Sequence, residues 1–174
     1  MMADPTCSEA LEIRQVQQAD LALLDQYVKA APGRTVQQEL DDQTQGLQSI
    51  YIVLKARQVI GWGFVFWRGP RDSGAAALFP AAPEIFRLEV IEAERSRGIG
   101  RQLINHMERA IAANGFAHSS LGVAHANPRA YALYQALGYE DTSLTHYYDE
   151  YDYLLPSGEL QHARDLCRYL IKPL

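Results

Sequence analysis

Two glycines one residue apart, Gly98 and Gly100, lie between an apolar stretch, Phe86-Arg87-Leu88-Glu89-Val90-Ile91, and a run with helical spacing. Glycine lets backbone amides turn toward a ligand with no side chain in the way. A helix starting there adds unpaired N–H groups and a partial positive charge, so strand, Gly-x-Gly and helix together make a site for phosphate. Arg95, Arg97 and Arg101 bring formal positive charge to the same place. Taken alone, a Gly-x-Gly is also compatible with a plain turn. A Walker loop would need Gly-Lys-Ser/Thr at its end, and a dinucleotide fingerprint would need a third glycine where Leu103 stands; neither is present. Histidines 106, 118, 125, 146 and 162 are scattered without metal-ligand spacing, and no Gly-x-Ser-x-Gly elbow occurs. Metal and serine-hydrolase chemistry therefore have no support.

Downstream, Ser120-Leu121-Gly122-Val123-Ala124 suits a second strand, and Asn127-Pro128 opens a short helix carrying Tyr131 and Tyr134. Asn127 fits an N-cap with Pro128 at N1, which by itself asks for nothing beyond a cap.

Arg95, Gly98 and Gly100 match the pattern Gln/Arg-x-x-Gly-x-Gly/Ala, which resembles the acetyl-CoA pyrophosphate loop of the GCN5-related N-acetyltransferases, the GNAT superfamily. Leu88-Glu89-Val90 resembles that family's central strand, whose exposed backbone groups pair with the pantetheine arm as another strand would. The segment from Asn127 through Ala130, Leu133 and Tyr134 to Gly138-Tyr139 resembles the family's Asn-x-x-Ala-x-x-Leu-Tyr-x-x-x-Gly-Phe/Tyr pattern. Order and spacing agree in all three.

The resemblance implies acetyl-CoA, or another short acyl-CoA, as co-substrate, with no metal. It assigns cofactor binding to Leu88, Glu89 and Val90, to Arg95, Ser96, Arg97, Gly98, Ile99, Gly100 and Arg101, and to Asn127, Ala130 and Tyr134. It also implies direct transfer to a primary amine in a ternary complex, with Tyr134 as the acid. When the tetrahedral intermediate collapses, the leaving thiolate must be stabilised or protonated, and a phenol of pKa about 10 can do so at neutral pH. The bland reading is that Tyr134 packs, as Tyr131 one turn earlier is expected to. The general base is less defined. Ribosomal-protein-type N-terminal acetyltransferases often carry a glutamate five residues before the Asn, where this chain has Gly122. Glu84 shares strand parity with Leu88 and Val90, which would turn it to the same cleft, while Glu89 has the opposite parity; either could be an ordinary paired carboxylate. A small-molecule amine is the favoured acceptor, with a protein N-terminus or lysine as the alternative. A non-catalytic acyl-CoA-binding module is a third reading.

The elements that must position these residues fit one domain over 1–174: 174 residues with 48% hydrophobic content suit a single substantial core. The implied fold is α/β, a mixed, twisted sheet of about six to seven strands with helices on both faces. A net charge of −5 argues against a nucleic-acid partner. The absence of a long apolar run argues against a membrane span, and the polar 1–10 lead is expected to be flexible. Cys7 and Cys167 make no disulfide framework, which suggests a reducing, cytoplasmic setting.

Residues 11–16 alternate as a half-buried strand, and Asp20 is placed to cap a helix that presents Leu21, Leu23, Leu24, Tyr27 and Val28 and stops before Ala31-Pro32-Gly33. A polar helix near 35–45 precedes strands at 49–55 and 59–68, joined at Ala56-Arg57; Gly61 and Gly63 suggest a bulge or close approach. Alternation puts Trp62, Phe64 and Phe66 on one face, and Val59, Val65 and Trp67 on the other. Residues 69–83 are expected to be an inserted, mobile surface loop. After the glycines, Leu103, Ile104, Met107, Ala110 and Ile111 form one stripe, Glu108 and Arg109 face solvent, and Asn114-Gly115 stops the helix. The acidic-aromatic run 145–154, the turn at Pro156-Ser157-Gly158 and a returning strand at 165–172 close the chain. That hairpin could attract a cationic amine. It could equally be an exposed face or a homodimer contact.

Overall fold

Residues 50–54 are an unbroken apolar run, which fits a strand covered on both faces. In the computed structural model they lie in the second strand from one edge of a mixed eight-stranded sheet. The structure describes residues 10–30, 32–155 and 157–174. Outside the described residues lie the readings for the N-terminal lead and Cys7, for Ala31 in the helix stop and for Pro156 in the turn. The elements are β1 (Glu12–Gln15), α1 (Leu21–Tyr27), α2 (Val36–Thr44), β2 (Gln48–Lys55), β3 (Gln58–Phe66), α3 (Ser73–Leu78), β4 (Glu84–Val90), α4 (Ile99–Ala113), β5 (His118–Ala124), α5 (Pro128–Ala136), β6 (Glu140–Asp141), β7 (Tyr147–Leu154) and β8 (Leu160–Pro173). The sheet order is β1-β2-β3-β4-β5-β8-β6, with β7 on β8. Only β4 and β5 pair in parallel among the described strands. The two-residue β6 raises the count above the six to seven expected.

Two cores cover the two faces. Tyr51, Val53, Val65 and Ile85 pack with Leu103, Ile104, Met107 and Ile111 of α4. Ile50, Ile52, Trp62 and Phe64 pack with Leu24, Val28, Val36 and Leu40 from the α1–α2 region. Each such side chain contributes about 1.5–3 kcal/mol of burial, so the two layers hold the sheet between them.

Two bulges redirect side chains away from simple alternation. Val53 pairs with Gly61 and Leu54 with Val59, leaving Ile60 unpaired, so Val59 joins Trp62 and Phe64 rather than Val65. Trp62 pairs with Glu89 and Phe64 with Phe86, so Gly63 alone opposes Arg87 and Leu88. Arg87 takes a left-handed φ of 49° there. Gly63 is also a close approach, since a Cβ would lie 3.0 Å from Leu88 Cδ1 and 3.1 Å from Met107 Cε.

Other expectations are corrected by local pairing. The Asp20 carboxylate does not cap α1; it accepts from Arg14 at 2.6 and 2.8 Å and from the Gln17 amide at 2.7 Å, closing the preceding 3₁₀ turn. Glu108 is buried, 7% exposed, because Lys172 from β8 donates to it at 2.7 Å. Residues 69–83 contain α3, started by Asp72 accepting from the Ala75 amide at 2.9 Å and anchored by buried Ala75.

Candidate active site

β4 and β5 pair only at Glu84 and Ser120. Ser120 pins that vertex: its amide donates to the Pro83 carbonyl at 2.9 Å, and its hydroxyl lies 3.1 Å from the Ala82 and Pro83 carbonyls and 2.9 Å from the Tyr169 hydroxyl. Beyond it the strands part. β4 is turned by the bulge at Arg87, while β5 stays bound to β8 along its whole length. A cleft of about 520 Å³ opens along β4, α4 and α5.

The glycine loop forms one end of this cleft. Ser96 and Gly98 have φ of 65° and 77°, so the backbone between them curls and its amides converge, the geometry of an anion nest. A non-glycine residue in that conformation costs roughly 1 kcal/mol, which Gly98 avoids. Gly98 is the N-cap of α4 and provides no side-chain cap, and no acidic residue occupies the first turn. The leading amides of α4 are thus left for a ligand, at the positive end of the helix dipole. Arg129, from α5, donates to Ser96 Oγ at 2.7 Å, and Arg95 Nε donates to the Val90 carbonyl at 2.9 Å.

Leu88, Glu89, Val90, Arg95, Ser96, Gly98, Ile99, Gly100, Arg101, Asn127, Ala130 and Tyr134 all line the cleft. Arg97 does not; it turns to Glu94 at 3.3 Å and is 61% exposed. Glu94, Arg129 and Leu133 line it and were not singled out. Leu133 lies in the Asn-to-Tyr segment itself, and Arg129 follows the cap by two residues, so position was the available signal. Asn127 Oδ1 accepts from the Ala130 amide at 3.1 Å, so the residue is both helix cap and cleft wall. Tyr134 is 8% exposed, its ring edge-on to Tyr139 at 6.0 Å, and burial pushes its phenol up to about 12.

Glu84 does not share this cleft, because the bulge at Arg87 reverses the parity between it and Leu88. Ile85 lies in the α4 core with Leu88 and Val90, and Phe86 on the opposite face. The buried Glu84 carboxylate accepts from the Arg71 amide at 2.6 Å and from its guanidinium at 3.2 Å. That guanidinium lies 4.0 Å from the centre of the Phe86 ring. On this side of the sheet, Tyr147 meets Tyr169 edge-on at 6.0 Å. No group of three potential metal ligands is gathered among the described residues, nor is any of their helices long and apolar enough to cross a membrane.

A cleft beside a parting parallel strand pair, with an uncapped, glycine-led helix at one end, suits an anionic ligand, and comparison gives the family. Residues 16–139 match the Acetyltransferase (GNAT) family, and the chain belongs to it. It is therefore an acetyltransferase by family. Arabidopsis thaliana NAA60 in complex with acetyl-CoA superposes with a TM-score of 0.70 at 18% identity, over 95% of this chain and 99% of that one. A ribosomal-protein-alanine N-acetyltransferase from Brucella melitensis gives 0.65 at 17%, over 94% and 99%. An IAA acetyltransferase from Bacillus cereus gives 0.60 at 19%, over 95% and 100%. At these identities the likeness is one of fold. No curated protein matches the sequence.

Proposed function

We propose that this chain transfers the acetyl group of acetyl-CoA to the nitrogen of a primary amine, a small-molecule amine being the favoured acceptor. The observation that carries the reading is the cleft along β4, α4 and α5, with unclaimed helix amides at one end and Tyr134 in its wall. The amides of 96–101, with Arg95, Arg101 and Arg129, suit the cofactor's pyrophosphate. The strand 88–90 and Asn127 suit its pantetheine arm. Arg95 must then share or release the Val90 carbonyl.

In the reaction the amine lone pair attacks the thioester carbon, the carbonyl oxygen takes the negative charge, and the C–S bond breaks as the carbonyl re-forms. The amine's proton leaves to water. Tyr134 faces a thiolate whose conjugate acid has a pKa near that of cysteine, about 8.5. Against a phenol at about 12, full proton transfer is uphill by roughly 5 kcal/mol. Tyr134 therefore acts as a hydrogen-bond donor to the departing sulfur, and solvent completes the protonation.

A cationic acceptor is supported by the other side of the split. Asp149 and Asp165 stand directly opposite across β7 and β8, with Tyr151 donating to Asp165 at 2.9 Å. The 69–83 segment borders this side, with Arg71 stacked on Phe86, which narrows the approach and favours a small acceptor over a peptide.

Calorimetry with acetyl-CoA, followed by thiol release against a panel of small amines and peptides, tests this. Tyr134→Phe is expected to retain acetyl-CoA binding and to lower kcat about 100-fold. A folded protein that fails to bind acetyl-CoA sinks the proposal. Binding without thiol release for any acceptor would favour the non-catalytic module, and release with peptides alone would move the acceptor to protein.

A further inference from the structure

Strand β5 carries glycine at 122, and the space a side chain would fill there is already taken. A Cβ on Gly122 would lie 2.1 Å from the Tyr147 hydroxyl oxygen and 3.4 Å from its Cζ. The first distance is far inside van der Waals contact and the second is close to it. Tyr147 comes from β7, which pairs with β8 and not with β5, so its ring crosses β8 to reach this point. Tyr169, fully buried on β8, supports the ring edge-on and is itself fixed through its hydroxyl to Ser120.

Gly122 is two residues beyond the vertex at Ser120, where β4 and β5 have begun to part. Leu121 and Val123 face the α4 core with Tyr134, so position 122 faces the opposite side of the sheet. The Tyr147 hydroxyl thus stands across the split from Tyr134. Among the described residues it has no hydrogen-bond partner, and burial, with the Cys167 thiol and the Glu84 and Asp149 carboxylates nearby, holds the phenol well above its usual range. It is a neutral hydrogen-bonding group and not a base.

We infer that Tyr147 is a positioning residue for the acceptor: its hydroxyl oxygen accepts a hydrogen bond from the amine N–H and turns the nitrogen lone pair toward the thioester carbon, and residue 122 is glycine to admit it. This rests on the reading of the split as the point of acetyl transfer. A side chain at 122 and the phenol of Tyr147 are mutually exclusive, so the acceptor is met by a hydroxyl brought in from the hairpin instead of by a β5 side chain.

The test has two arms. In the first, Tyr147→Phe keeps the ring and removes one oxygen. With benzylamine and tri-alanine as acceptors, kcat/KM for the acceptor is expected to fall about tenfold while the acetyl-CoA Kd by calorimetry stays unchanged. An unchanged acceptor dependence would reduce Tyr147 to packing and overturn the inference. The second arm is a thermal-unfolding cycle that needs no activity. Gly122→Ala is expected to lower Tm sharply, and Tyr147→Phe to restore most of that loss in the same chain, because the clash is with the oxygen. Additive effects would overturn the wedge. A wild-type protein that binds no acetyl-CoA would overturn the underlying reading, while the unfolding cycle still decides the geometry.

Discussion

At the scale of single residues, Glu84 separates a catalytic from a structural carboxylate. A base must be open to the amine, yet Glu84 is 4% exposed and both its oxygens accept hydrogen bonds from Arg71, one of them from the backbone amide. Glu84→Ala would strand that amide and leave the guanidinium without its partner, a loss of about 1–3 kcal/mol. The expected result is a lower urea midpoint with kcat per folded molecule nearly unchanged. A fall of about 100-fold or more with stability intact would instead restore Glu84 as base. Tyr134 differs in kind, because it is buried with no competing partner among the described residues and lines the cleft. What distinguishes the two carboxyl and phenol groups is what surrounds them, which residue type alone does not carry.

At the scale of elements, the pieces with strong local signals were legible and the places where two strands adjust to each other were not. Asn127-Pro128 fixes the start of α5, and the stripe from Leu103 to Ile111 fixes the buried face of α4, because cap and period are properties of one segment. The bulges at Ile60 and Arg87 are properties of a pair, so counting parity along one strand put Val59 and Glu84 on the wrong faces. Gly63 marked the second bulge in the sequence without saying which strand would carry the extra residue. The short α3 had its signal, an Asp cap before alanines, hidden within a loop-like composition. The β2–β3 turn adds a case in which the local signal is weak and the conformation clear. Ala56 and Arg57 both take positive φ, 49° and 66°, as a two-residue hairpin of this twist requires. Neither residue favours that region, so Ala56→Asn with Arg57→Gly is expected to stabilise by about 1 kcal/mol. The readout is a higher urea midpoint at constant slope, with acetyl-CoA binding unaltered. An unmoved midpoint would mean that the turn is not strained.

At the scale of the whole molecule, buried tyrosines fasten β5 to the elements that follow it, and this sets how the fold responds to alkali. Tyr139 and Tyr169 are almost wholly buried, the first sharing a hydrogen bond with Ser119 at 2.8 Å and the second with Ser120 at 2.9 Å, and Tyr134 is 8% exposed. Burial raises all three phenols above the unfolded value of 10, Tyr134 to about 12 and the other two further. Each binds its proton more tightly folded than unfolded, so its contribution to stability is complete below pH 10. That contribution is lost as pH rises toward the folded values. Above pH 10 each phenol lowers the unfolding free energy by about 1.4 kcal/mol per pH unit, roughly 4 kcal/mol for three. A domain with a typical 5–15 kcal/mol of stability would then unfold within a few pH units. Urea midpoints are expected to be flat from neutral pH to about 10 and to fall steeply beyond it, tyrosinate absorbance rising in the same transition. Tyr134→Phe should remove about one proton from the slope up to pH 12, where the wild-type residue would itself ionise within the fold. A tyrosinate signal that rises before unfolding would show that these phenols reach solvent in the native state, and the cleft wall would then be looser than its packing implies.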